Sequence, residues 1–329
     1  MGPGSLGSTL EMVDSALSGK KLVDLDGDGS SKVDLPRVRL NPALSIIQIA
    51  SGCMSECSFC QTKLAKGGLQ SYRPGDVVRQ VRRDVADGCR EVWLSSTDNG
   101  CYGLDMGTDL PALVDAVSET PGDFMVRVGM MNPMYMPRIR DRLVSSYRSE
   151  RVYKFLHLPV QSGSNAVLAE MRRGHTAATF RGTVAAFRAR FPRMTLSTDI
   201  IVGFPTETDA DFEEPLSLVR ETRPDMVNLS RYGARPGTDA AGMAQLDVGV
   251  VRRRSRIMHE LATGISLESN RAWIGWRGDV FFAERTPQGV RGRNFAYRPI
   301  HVDDPVEVGS RRMVLVTGAT AHGLSGRLD

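Results

Sequence analysis

From Leu44 to Arg231 the sequence alternates short apolar runs with amphipathic stretches, a pattern that restricts the fold to strands joined by helices. The spacing predicts strands at 44–50, 91–96, 124–129, 153–158, 195–202 and 226–231. A helix is predicted over 74–86. It opens on Pro74, carries Val77, Val78, Val81 and Val85 on one face, and is followed by Gly88. A second runs over 177–190 and stops before Pro192, and Val167, Leu168 and Met171 make a shorter one after Ser164. Pro215 interrupts the helical pattern of 209–221, which predicts a kink or a late start. Six strand–helix repeats call for a parallel α/β sheet with right-handed connections. They are too few for a closed eight-stranded barrel, which leaves a partial barrel or an open sheet. Either arrangement gathers its chemistry at the C-terminal strand ends.

The two ends of the chain read differently. Residues 10–17 fit one short helix with Met12, Val13, Ala16 and Leu17 on a face, and Gly27, Gly29, Ser30 and Ser31 mark a flexible stretch. From 248 to about 270 a basic helix is expected, containing Arg252, Arg253, Arg254 and Arg256. Beyond Trp273, apolar runs at 279–283, 299–302, 305–308 and 313–317 predict a small all-β module. From Asn270 onward there are nine arginines against six acids and no lysine. Such a balance suits phosphate contacts as well as a solvated surface. No run approaches the ~20 apolar residues of a membrane span, and the N-terminus lacks a signal-type apolar core. A cytoplasmic protein without a membrane partner is expected.

Three of the five cysteines fall within eight residues, in GCMSECSFC over 52–60, directly after the first predicted strand. A secreted disulfide framework would be more evenly spread. Three thiolates on one loop, Cys53, Cys57 and Cys60, can each hold one iron of a four-iron cluster and leave the fourth iron open to an exogenous ligand. The competing reading is structural zinc, which takes four protein ligands; no fourth lies nearby in sequence, although Cys89 or Cys101 could fold in. Otherwise those two read as a packed small residue and a loop thiol.

A C-x3-C-x2-C triplet in this place resembles the signature of radical S-adenosylmethionine (SAM) enzymes. Five stretches resemble their methylthiotransferase branch: GCMSECSFCQTKLAKGGLQSY (52–72), LSSTDNGCYG (94–103), LHLPVQSGS (156–164), TDIIVGFPTET (198–208) and RYGARPGT (231–238). Gln61, Thr62 and Lys63 after the last cysteine are similar to the archaeal and eukaryotic tRNA enzymes rather than the bacterial ones. The resemblance implies a partial (βα)6 barrel followed by a TRAM-like RNA-binding β-barrel. It also implies transfer of a methylthio group to C2 of N6-threonylcarbamoyladenosine at tRNA position 37. The cofactors would be a [4Fe-4S] cluster on Cys53, Cys57 and Cys60, and SAM chelated through its methionine end and cleaved to a deoxyadenosyl radical. Phe59 matches an aromatic position near the adenine, and Ser96, Thr97 and Asp98 match the place that holds the methionyl amino group. Gln161 and Ser162 are implied SAM contacts, with Ser164 capping the next helix. Gly203 would leave room for the adenosine, with Asp199 inside the barrel. Arg172, Arg173 and His175 either orient substrate or cofactor or are exposed helix-end charges.

Implied partners are the anticodon loop of tRNA, contacted through Arg252, Arg253, Arg254, Arg291, Arg293 and Arg298, and an electron donor such as ferredoxin or flavodoxin. The family also carries an N-terminal domain with further cysteines for a second [4Fe-4S] cluster, whereas no cysteine precedes Cys53 here. The chain is thus expected to be a fragment, a truncated gene model or a naturally shortened form, a separate N-terminal domain being one candidate partner. The expected layout is a remnant or linker over 1–39, the barrel over 40–245, the connecting helix over 246–269 and the β-module over 270–329. Methylthiolation of a ribosomal protein, or tRNA binding without catalysis, are the alternative functions. Two patterns read as chance. Gly2 to Gly7 matches a dinucleotide fingerprint with no strand before it, and Asp24 to Gly29 imitates a calcium loop whose twelfth position is Leu35.

Overall fold

The computed structural model describes residues 1–2, 4–25, 31–33, 35 and 37–329. The Gly27–Ser30 stretch, most of the calcium-like pattern and Pro3 of the fingerprint-like one lie outside the described residues. Near the N-terminus α1 (Thr9–Leu17) forms where expected, but none of its residues is buried.

Six parallel strands build the core in chain order: β1 (Leu44–Gln48), β4 (Glu91–Ser95), β5 (Met125–Val128), β6 (Phe155–His157), β7 (Thr195–Val202) and β8 (Met226–Arg231). The intervening pair β2 (Ala50–Ser51) and β3 (Gln70–Ser71) is an antiparallel two-residue clasp. Hydrogen-bonded ladders join β1-β4-β5 and β6-β7-β8, and a parallel bridge between Val126 and Val152 links the two triplets. The strands thus form one arc, as a partial barrel requires. Outside lie α3 (Pro74–Ala86), α4 (Leu110–Ser118), α5 (Met136–Ser146), α7 (Ala177–Arg190), α8 (Asp209–Thr222) and α9 (Val248–Arg271), each touching the next. Smaller helices are α2 (Thr62–Lys66) and α6 (Asn165–Glu170). Val92, Leu94, Val126, Val128, Leu156 and Leu196 point outward at alternate positions and are fully enclosed by the helices. Pro215 sits inside α8 without delaying it: a reciprocal capping box between Thr208 and Asp211 starts the helix at Asp209.

The C-terminal segment closes into a five-stranded barrel, in the order β10-β11-β13-β12-β9. Its strands are β9 (Arg277–Thr286), β10 (Gly289–Arg293), β11 (Pro299–Val302), β12 (Arg311–Thr320) and β13 (Gly323–Leu328). The run at 305–308 is not a strand; Pro305 lacks a ladder donor, and Val306 instead folds into the barrel's own core. Strands β10 and β13 escape an apolar-run search because glycines occupy their tightest positions. A Cβ on Gly292 would lie 2.6 Å from the Phe281 carbonyl, and one on Gly326 2.7 Å from Val314.

This small barrel docks at the N-terminal ends of the core strands. Tyr297 packs edge-on against Tyr153 at 4.9 Å between ring centroids and tilted against Phe155 at 4.8 Å, and the Arg127 guanidinium lies 4.9 Å from the centroid of Trp93. A second seam is polar and largely buried. Arg298 donates to Asn270 Oδ1 and Ser269 Oγ, both at 2.8 Å, and pairs with Asp225. The Arg298 and Asp225 side chains are only 4% and 7% exposed. Removing one partner of a buried pair strands the other charge. Arg298→Ala should therefore cost about 3 kcal/mol or more in urea unfolding, whereas Arg291→Ala should stay within about 0.5 kcal/mol. Equal midpoints for the two variants would contradict the seam's importance.

Candidate active site at the C-terminal strand ends

The β2–β3 clasp closes the cysteine loop into a compact excursion from the end of β1. Gly52 makes the turn with φ +69°, and a Cβ there would lie 1.8 Å from the Gly68 carbonyl oxygen, so glycine is obligatory. The Cys53 N–H donates to Gly67 O at 3.3 Å, completing the neck. The loop is then fastened to α6: Ser58 N–H donates to Met171 O at 3.1 Å and Ser58 Oγ to Glu170 O at 2.7 Å. Phe59 is pressed into an apolar cluster with Val167, Met171 and Phe204.

Each of the three cysteine sulfurs meets a hydrogen-bond donor. The Ser55 N–H points at Cys53 Sγ and the Thr62 N–H at Cys60 Sγ, both at 3.4 Å, and Arg173 Nη1 points at Cys57 Sγ at 3.2 Å. The Cys53 thiol is brought down to about 6, chiefly by the adjacent Cys101 thiol, with Ser55 and Arg173 helping against burial. Burial pushes Cys57 up. Cys101 is a free thiol beyond β4, but a fully buried one, beside Cys53 and 3.2 Å from the Asp98 carbonyl oxygen. Cys89 is packed in the core.

Phe59, Gln161 and Asp199 line one cavity of about 310 Å³, together with Asn228, Ser230, Arg231, Tyr232 and Arg235. Gln161 adopts φ +73° to turn out of the sheet, its backbone still bridging Ile200. Asp199 accepts from Asn228 Nδ2 at 2.7 Å and lies 2.9 Å from His157 Nε2. Burial raises the affinity of Asp199 for a proton, but these partners and Arg173 outweigh it and leave the carboxyl below its usual range. His157, Asn228 and Tyr232 join the site although the sequence motifs single out none of them. The signal was available, since polar residues at inward-facing strand positions of an apolar core need a reason.

Other expected contacts fall elsewhere. Ser162 is fully enclosed and its hydroxyl accepts the Ser164 N–H at 3.2 Å, so it builds the turn rather than facing the cavity. Ser164 caps α6 as anticipated. Gly203 clears space for α9, since its Cβ would meet Val251 at 2.6 Å. Ser96 and Thr97 are half-buried beyond β4, and Asp98 is buried. Asp98 accepts the Gly100 and Asn132 N–H groups, and burial pushes its carboxyl up to about 6. Arg172 is exposed and pairs with Asp239, whereas Arg173 is buried; burial and Arg173 bring the His175 imidazole down to about 4.

The arginine set needs correction. Arg254 is buried between Glu207 and Asp209, and Arg298 forms the seam described above, so neither can meet a phosphate. Arg293 lies 4.7 Å from the Tyr297 centroid in the aromatic seam, and Arg291 faces Glu284 at 3.5 Å. Arg252, Arg253 and Arg256 instead border an open depression at the start of α9.

Known proteins match this arrangement. The Radical SAM superfamily model matches residues 47–219. Probable threonylcarbamoyladenosine tRNA methylthiotransferases of Pyrococcus horikoshii and Pyrococcus abyssi are each 44% identical, over 84% and 100% of this chain. The Drosophila melanogaster enzyme is 40% identical over 95%. The chain spans 65%, 78% and 57% of those three relatives. In fold, a radical S-adenosylmethionine methyltransferase from Kitasatospora setae superposes with a TM-score of 0.51 at 15% identity, over 60% of this chain and 38% of its own. The chain belongs to the radical SAM superfamily and, within it, to the threonylcarbamoyladenosine tRNA methylthiotransferase family.

Proposed function

We propose that this chain carries out the radical SAM part of methylthio transfer to C2 of N6-threonylcarbamoyladenosine in the anticodon loop of tRNA. The observation that carries this reading is the closed cysteine loop, whose Phe59 also lines the cavity over β7 and β8. Cys53, Cys57 and Cys60 would hold the [4Fe-4S] cluster. Their donor set fits it, being three sulfurs on one loop, each facing an N–H donor that favours an anionic thiolate. Among the described residues no three His, Cys, Asp or Glu side chains converge on a point that a single ion could fill. A cluster of four irons spreads its ligand sulfurs wider and does not need such a point. When bound, it supplies the electron that cleaves SAM to a 5′-deoxyadenosyl radical.

The chain's own residues orient the reactants. Phe59, Ile201 and Tyr232 offer apolar surface for a nucleoside, while Gln161, Asp199 and Asn228 offer the polar groups that fix its rotation. The adenine of an anticodon loop is unpaired and can be splayed into such a pocket at small cost. RNA would reach it along α9, whose 24 residues span about 36 Å. That helix runs from the rim, where Val251 meets Gly203, to the C-terminal β-barrel at Asn270. Arg231 and Arg235 at the cavity continue the line of Arg252, Arg253 and Arg256.

Anaerobic reconstitution should load about four irons per chain. Alanine at Cys53, Cys57 or Cys60 should abolish the iron chromophore, and Cys89→Ala should keep it. Uptake of one zinc and no iron would sink the reading. For RNA, Arg252→Ala and Arg256→Ala should each lower the log–log salt slope of anticodon stem-loop binding by about 0.7 to 0.9. An unchanged slope in the double variant would remove the α9 path.

A further inference from the structure

Arg173 is a buried cation, 7% exposed, and forms no ion pair with a carboxylate among the described residues. A guanidinium taken out of water without a counter-charge is costly. Its nearest anion-forming partner is sulfur: Nη1 lies 3.2 Å from Cys57 Sγ, Nη2 donates to Pro159 O at 3.0 Å, and Nε has no partner. The side chain is held there by its backbone. Arg173 follows Arg172 at φ +53°, precedes Gly174 at φ +65°, and its N–H donates to Leu168 O at 3.0 Å. Arg172, a non-glycine residue in the left-handed region, stores strain that persists only where its surroundings enforce it, whereas Gly174 takes up its φ freely. The same charge also acts, as a minor contribution, on Cys53, Asp98 and Asp199.

We propose that Arg173 is a positioning residue that sets the reduction potential of the cluster held by Cys57, and so decides how readily that cluster accepts its electron. The inference rests on the cluster reading above. One electron from a low-potential donor makes the cluster and its thiolates one charge more negative. A fixed guanidinium hydrogen-bonded to one of those sulfurs favours that state over the oxidised one. Arg172 carries the same charge one residue earlier but faces Asp239 at the surface, and has no such effect.

The test is a redox titration of the reconstituted full chain with dithionite, followed by electron paramagnetic resonance, after iron and sulfide have been measured. Arg173→Gln should lower the ratio of reduced to oxidised cluster about tenfold at a given donor potential, which is 59 mV for one electron. Arg173→Lys should restore most of it, and Arg172→Gln should match the wild type. A four-iron Arg173→Gln protein with the wild-type midpoint overturns this inference and leaves the cluster reading standing. Absence of iron in the wild type overturns both. If Arg173→Gln loses its iron while Arg173→Lys keeps it, the charge requirement holds; loss from both shows that shape rather than charge matters, and overturns the proposal.

Discussion

Parallel strands cannot be joined by tight turns, and the rest of this structure follows from that constraint. Each of the parallel strands β1, β4, β5, β6 and β7 must return through a crossover before the next parallel strand begins. Every loop leaving a strand therefore opens on the same rim, where the cysteine loop, Gln161 and the ends of β7 and β8 meet. The opposite rim is left free, and the small β-barrel seals it with Tyr297 and Arg298. Stability and chemistry are thereby assigned to opposite ends of the same strands, as in complete strand–helix barrels.

Buried arginines recur wherever this chain joins one element to another. Arg254 ties α9 to the loop before α8 through Glu207 and Asp209. Arg298 ties the β-barrel to α9 and the start of β8. In each case the planar head makes several directed contacts that lysine could not reproduce. Arg173 is the exception, because its strongest partner is a cysteine sulfur. Packed among groups that pair with carboxylates, it is the one whose surroundings ask for another anion.

Much of the scaffold is legible in the sequence. Strands β7 and β8 and helices α3 and α7 begin and end where their apolar periodicity and flanking Pro and Gly residues place them. Periodicity failed where packing overrides side-chain type. The glycines of β10 and β13 are fixed by close strand approach, and nothing in a single sequence announces that. The arginines failed for a related reason. Composition counts charges but not their burial, so Arg254 and Arg298 looked like RNA ligands until their carboxylate partners, 47 and 73 residues away, came into view. The cysteine loop was legible because its spacing is local. The polar group of His157, Asp199 and Asn228 beside the cavity was only partly so, since it assembles across three strands.

The claim on which the account stands is that the loop over β1 holds a cluster with one iron open to SAM. Mössbauer spectroscopy of the chain reconstituted with iron-57, recorded with and without SAM, examines it most directly. The account predicts that SAM alters the signal of a single iron site and leaves the remaining sites unchanged. A spectrum in which SAM perturbs no iron, or all of them alike, would contradict it.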